Sequence, residues 1–391
     1  MQKALEGVRV LEISQFWAGP LTASYLADLG AEVIKVETPG AGDRQRSPKI
    51  HGPGLKGENL VFLTFNRNKK SITLDLYTKK GQEIFKELVK KSDILIENFT
   101  PGTIKRFGFS YKSLSEINSR IIMVSISGYG QDGPYKLKPS FDYIGQAMGG
   151  LMGITGYPDH PPVRVGVMIA DELASLFSVY GVLAALYWRE RSGKGQWVDV
   201  SIMDSVAFTL GDRIVRYAAL GNSVSELLGR WGNAYPYVVA TDLYEAKDGY
   251  VILSAALKPW KDNWARIIGI EEFKDGDPNK VTDYIAEWAR TKTVSEIIEI
   301  VEGSGNPCCR IISVDELIRD PQFLSREMLV EIEHPKAGEV KVMGVVPKLS
   351  ATPGEVKTSA PLLGQHNEEV YTTLLQYSKQ KIESLKEEKV I

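Results

Sequence analysis

Residues 8–36 read VRVLEISQFWAGPLTASYLADLGAEVIKV, and their pattern decides the fold. Residues 8–13 form an apolar, β-rich run, and a turn of small residues, Ala18-Gly19-Pro20, follows Trp17. Pro20 suits the first position of a helix, where its missing N–H costs nothing. Leu21, Tyr25, Leu26 and Leu29 recur on one helical face, and Gly30 is placed to cap the end. A second β-rich run covers residues 33–36. A strand–helix–strand unit of about 30 residues opens a doubly wound, Rossmann-like α/β domain.

The alternation continues outward from this unit. Strands are expected at 71–76, 93–97, 120–127 and 197–201, with helices at 79–91, 103–107, 111–118, 171–189 and from about 203. Near 221–237 glycine, tryptophan, asparagine and tyrosine replace helix formers, which marks a linker or a functional loop. A strand at 250–255 and helices at 259–268, 281–290 and 294–302 make a smaller α+β domain. The expected division is a large domain at 1–205 completed by 335–391, and a small domain at 222–320. Residues 206–221 and 321–334 would link them. Beyond 328 the chain is expected to be extended, with a turn at Pro335-Lys336-Ala337-Gly338 and a charged helix from Asn367.

With 391 residues and a net charge of −2, the chain offers no bulk attraction for nucleic acid or an anionic membrane. Residues 179–188 are apolar but shorter than the ~18 residues of a membrane span; they read as a buried helix ending at Arg189. The opening residues lack a signal-peptide pattern, and a cytoplasmic enzyme is the expectation. Cys308 and Cys309 are adjacent and read as reduced thiols in a packed turn. The four histidines have no metal-ligand spacing, so neither a metal nor a prosthetic group is expected.

Four segments carry candidate chemistry. Residues 14–19 contain one glycine where a dinucleotide fingerprint needs three, which argues against NAD or FAD. Asn98-Phe99-Thr100-Pro101-Gly102 follows a strand, and its free N–H groups, with Arg106 one turn on, suit either a phosphate or a plain turn. The basic run Asn66-Arg67-Asn68-Lys69-Lys70 reads as a solvated turn or a phosphate contact. Asp171 ends an extended run at the threshold of an apolar helix. There it is either a helix cap or a nucleophile, kept ionised near its ordinary value by the helix N-terminus. No Gly-x-Ser-x-Gly elbow is present.

Together the segments resemble the family III CoA-transferases, the group that includes formyl-CoA transferase and carnitine CoA-transferase. The resemblance runs in order through Ala18-Gly19-Pro20, Ala31 to Glu37, Asn68 to Leu76 and Glu97 to Gly102. It continues through Phe141-Asp142, Gln146-Ala147, Gly166 to Asp171, and Ala360 to His366. It implies that Asp171 is the nucleophile and Asp142 a supporting carboxylate. It further implies that coenzyme A, arriving as the acyl-CoA substrate, lies along Phe16, Trp17, Ala18, Leu74, Asn98, Phe99 and Arg106 of the large domain. Arg106 would meet a phosphate and Asn98 a polar group. The partners implied are an acyl-CoA, a carboxylic acid, and a second copy of the chain threaded through the first as an interlocked homodimer.

Two departures shape the expectation. Trp17 stands where formyl-CoA transferase has Gln, which argues for a different, more apolar acyl group, and with Phe141, Tyr143 and Trp231 it points to one larger than formyl. The related 2-methylacyl-CoA racemases, the alternative reading, need a His where this chain has Phe141, and a glycine-rich helix start where it has Glu172-Leu173-Ala174-Ser175. A third class, a non-catalytic acyl-CoA-binding protein, shares the same segments. The glycine lid of formyl-CoA transferase has only a loose counterpart at 229–233.

Overall fold

In the computed structural model, residues 2–235, 238, 240–270 and 278–391 are described. They divide into two compact units: 1–149 with 166–209 and 321–391, and 150–165 with 210–320.

The first unit is built on six parallel strands: β1 (Arg9–Glu12), β2 (Glu32–Glu37), β3 (Lys69–Thr73), β4 (Ile94–Glu97), β5 (Ile122–Ser127) and β6 (Trp197–Ser201). Their spatial order is β3-β2-β1-β4-β5-β6, so the direction of winding reverses between β1 and β4. Ligands of open α/β sheets bind beyond the carboxyl ends of the strands at such a reversal. On one face Leu11, Ile34, Ile72 and Leu95 pack against Phe85 and Leu88 of the Lys79–Lys90 helix and against the chain's last two helices. The Ala18–Asp28 and Ile169–Ser192 helices cover the other face. An antiparallel hairpin, β10 (Leu329–His334) and β11 (Gly338–Met343), closes over Phe62 and Leu63.

The helix after β1 starts at Ala18 with Trp17 as its N-cap, so Pro20 is its third residue rather than its first. Phe16, at φ 66°, makes the turn that sets this earlier start. Gly30 ends the helix as expected: its φ is 103°, and a Cβ there would lie 2.2 Å from Lys3 Cβ.

Within the basic run at 66–70, Arg67 and Lys69 are neither solvated nor free for a phosphate, and the half-exposed Lys70 is held by Glu32 and Glu369. Arg67 pairs with Asp28 at 2.5 Å, and Lys69 with Glu12 at 2.7 Å, all four side chains buried. Glu12 also takes Lys35 at 2.7 Å, and Lys35 reaches Asp43 at 3.0 Å. Desolvating this many charges is tolerable only because each finds a partner.

The helix at Ile169–Ser192 begins two residues before the expected start and is not fully buried. Ala170, Ala174, Ser178, Val182 and Ala185 face inward, while Tyr180 (73 % exposed), Tyr187 (61 %) and Trp188 (53 %) form an outer apolar stripe. It is 24 residues long, and an 18-residue window within it has mean hydropathy 1.5, enough to cross a membrane by length and composition alone, yet its inner face packs on β5 and β6.

In the second unit β7 (Asp242–Ala246), β8 (Gly249–Leu253) and β9 (Cys308–Arg310) form an antiparallel sheet. Trp264, Val251, Leu253, Ile285 and Ile297 fill its core. Cys308 and Cys309 are free thiols on an edge strand, one half-buried and one exposed, not in a packed turn. The stretch 221–237 begins with a 3-10 helix at Gly221–Leu228 and continues without helix or strand to 235; Pro236 and Tyr237 at its end lie outside the described residues.

Candidate active site

At the reversal point the loops leaving β1 and β4 are tied together by one side chain. Asn98 Oδ1 accepts from Gln15 N at 2.9 Å, and its Nδ2 donates to Gln15 O at 2.7 Å. The two loops approach so closely that a Cβ on Gly19 would sit 2.3 Å from Ser14 Cβ and 3.3 Å from Asn98 Cγ. A glycine is therefore required there by packing. Phe16 N donates to Asp43 Oδ1 at 3.2 Å, fixing the left-handed turn that presents Phe16 and Trp17. Beneath the second loop, Glu97 Oε2 accepts from Phe99 N at 2.9 Å. Burial pushes the Glu97 carboxyl up to about 7, against the opposing bonds from Ser125 and Phe99.

Asp171 is the third residue of its helix, not the cap. Met168 occupies the cap position and supplies no side-chain bond. The capping is done from outside the helix: Asp142 Oδ1 accepts from Ala170 N at 2.7 Å and from Asp171 N at 3.2 Å. Asp142 is buried, and its other oxygen takes Gln146 Nε2 at 2.6 Å. With the helix N–H groups spent on Asp142, the Asp171 carboxyl keeps little of their stabilisation. Burial, then the neighbouring Asp142 and Glu172 carboxylates, push it up to about 8. The expectation of an ordinary, ionised aspartate is thus overturned by desolvation and like charge. Glu172 turns the other way, accepting from Tyr25 Oη at 3.0 Å beside the Trp17 indole.

Two cavities meet at Asp171. One, of about 260 Å³, is lined by Phe16, Trp17, Ala18, Asn98, Phe99 and Asp171, with Lys136 and Lys138. The other, about 250 Å³ and mainly apolar, is lined by His51, Asp142, Tyr143 and Met168, and shares Phe16, Trp17, Phe141 and Asp171 with the first. Phe141 therefore walls both spaces, where a racemase would need a base. Of the residues expected along coenzyme A, five are brought together in the first cavity. Leu74 is buried and lines a separate space of about 90 Å³ behind Phe99. Arg106 is exposed, donates to Thr103 Oγ1 at 3.0 Å and lines neither cavity at Asp171. The sequence reading missed Lys136 and Lys138; the glycine-rich loop before them, pinned by Gln131 N to Asp199 Oδ2 at 2.9 Å, was their only signal. It also missed His51, which no motif marks. Trp231 belongs to the second unit.

Comparison with known proteins places the chain in a family. Residues 5–367 match CoA-transferase family III. Over its full length the chain is 40 % identical to succinyl-CoA–D-citramalate CoA-transferase of Chloroflexus aurantiacus, covering 98 % of that protein. It is 36 % identical to formyl-CoA:oxalate CoA-transferase of Streptomyces avermitilis, with each chain fully covered. It is also 34 % identical to succinyl-CoA:glutarate CoA-transferase of Mus musculus, covering 98 % of this chain and 89 % of that one. Among solved structures, a CAIB/BAIF family protein from Brucella suis superposes with a TM-score of 0.83 at 31 % identity, covering 96 % of this chain and all of that one. The chain belongs to CoA-transferase family III and is a CoA-transferase.

Proposed function

We propose that transfer runs through covalent intermediates on Asp171, with the acyl-CoA along the lysine-lined cavity and the acid in the apolar one. The observation that carries this reading is the position of one half-buried carboxyl where two cavities meet. The ionised Asp171 attacks the thioester carbonyl, and the C–S bond breaks to give an aspartyl–acyl anhydride and CoA thiolate. The thiolate attacks the aspartyl carbonyl, releasing the donor acid and leaving an aspartyl–CoA thioester. The acceptor carboxylate attacks that thioester, forming a new anhydride and expelling the thiolate once more. Attack of the thiolate on the acceptor's acyl carbon completes the new acyl-CoA and restores the Asp171 carboxylate. Each step exchanges one acyl bond for another, so the cycle consumes no ATP.

Five residues, Phe16, Trp17, Ala18, Asn98 and Phe99, form the coenzyme A wall, and Lys136 and Lys138 supply positive charge in the same cavity. The role of Asn98 is to lock the two loops, since both ends of its amide are bonded to Gln15. Asp142 fixes the helix start that carries Asp171. The larger first unit is the coenzyme A-binding domain, and the outer apolar stripe of the Ile169–Ser192 helix supports burial of that face in an interlocked homodimer. A cytoplasmic enzyme fits the soluble acyl-CoA chemistry. Relatives named for succinyl-CoA, citramalate, glutarate and oxalate support a short dicarboxylic acid as at least one of the two acids exchanged here, formyl-CoA being the monocarboxylic partner in one of those names.

The test is trapping. Incubation with succinyl-CoA and hydroxylamine should convert the Asp171 side chain to a hydroxamate, read by peptide mass spectrometry. An enzyme that turns over while Asp171 remains unmodified contradicts the mechanism.

A further inference from the structure

The apolar cavity has one basic side chain in its lining, His51, and a chain of hydrogen bonds fixes how its ring is presented. Asn59 Nδ2 donates to Ser47 O at 2.9 Å and to Ile50 O at 2.6 Å, so Asn59 Oδ1 must be the accepting end. That oxygen takes Phe62 N at 3.0 Å and Gln45 Nε2 at 3.1 Å. Gln45 Oε1 is therefore the atom facing His51 Nδ1 at 2.9 Å. An amide oxygen only accepts, so Nδ1 carries a hydrogen and Nε2 is the ring's remaining polar atom. Gln45 and Asn59 are buried, which makes this a rigid support beneath an exposed ring. The His51 backbone is held at φ 58°, and the Trp17 ring meets the imidazole edge-on at 5.8 Å.

The same cavity contains two acids, Asp171 and Asp142. A monocarboxylic acid entering it adds one negative charge, and a dicarboxylic acid adds two. The lysines lie in the other cavity. Charge balance leaves His51 as the group to meet the extra carboxylate: protonated at Nε2, it donates a charge-assisted bond there while Nδ1 stays on Gln45.

We propose that His51 receives the non-reacting carboxylate of a dicarboxylic substrate and so selects dicarboxylic over monocarboxylic acids. The proposal rests on the transfer reading, with the reacting carboxylate at Asp171.

The test uses matched acceptors, succinate against butyrate and glutarate against pentanoate, with one acyl-CoA donor. His51→Asn tolerates the left-handed backbone and keeps an N–H for Gln45 Oε1 but removes the outer nitrogen. His51→Gln returns an amide N–H at greater reach. For His51→Asn the expected loss in kcat/KM is about tenfold or more for the dicarboxylic member, with KM for that acid rising. Monocarboxylic use should be unaffected, and His51→Gln should recover part of the loss. Parallel loss for both acids, no loss for either, or equal use of both by the unaltered enzyme overturns the proposal. Failure to trap Asp171 as a hydroxamate is a separate result, and it would overturn the transfer mechanism beneath the proposal.

Discussion

Glu12, fully buried, and Asp171, half-buried at the cavity wall, are acids of the same unit whose surroundings drive them in opposite directions. Burial pushes each up. At Glu12 the ammonium groups of Lys35 and Lys69, both at 2.7 Å, more than offset this and hold the carboxyl down at about 2. At Asp171 the neighbours are Asp142 and Glu172, and the carboxyl rises to about 8. A carboxylate between two lysines is a structural joint: it ties β1, β2 and β3 together, and its charge is fully used. A carboxyl beside two other acids is uncompensated, and in the proposed mechanism reaction with an acyl group relieves that state. The difference separates an acid that holds the fold from one suited to be consumed and regenerated.

Removing each acid should therefore fail differently. Asp171→Ala should lower transfer by about 10³-fold or more while acyl-CoA still binds, as steady-state rates and calorimetry would show. Glu12→Gln leaves Lys35 and Lys69 sharing a neutral amide and should cost about 3–5 kcal/mol in urea unfolding, with activity retained in the fraction that folds. Retained stability in Glu12→Gln would erase the contrast.

Smaller effects sharpen it through pH. Asp171 holds a proton in the folded state that the unfolded chain releases, so its contribution weakens stability as pH rises from near 4 toward 8. Asp171→Asn should raise Tm relative to the unaltered chain, with a gain that grows across that window to about 2 °C or more. Glu12 has the opposite sign. Its contribution is present above the ordinary carboxylate value and is lost as pH falls toward 2. Asp142→Asn keeps an accepting oxygen for the helix start but removes one like charge. The pH midpoint of acylation should then move to lower pH, measured from the rate of CoA release in a single turnover.

The sheet was legible because its strands are short apolar runs separated by helical periodicity, and residues 8–36 alone announce the winding. The ionic joint was not. Lys69 and Arg67 sit in a basic run that looks solvated, and their partners Glu12 and Asp28 lie 57 and 39 residues away. Asp171 was legible through the ordered family segments, but its environment was not, since Asp142 takes over the capping from a different helix 29 residues earlier. His51 had no signal at all, because only folding brings the loop at 45–59 to the cavity wall.

The most direct measurement is hydroxamate formation at Asp171 followed across pH with saturating succinyl-CoA. The account predicts modification confined to Asp171, absent in Asp171→Ala, and increasing with pH to a midpoint well above the ordinary carboxylate range. Efficient turnover without modification, or trapping that stays constant down to pH near 5, about one unit above an ordinary carboxylate, would contradict it.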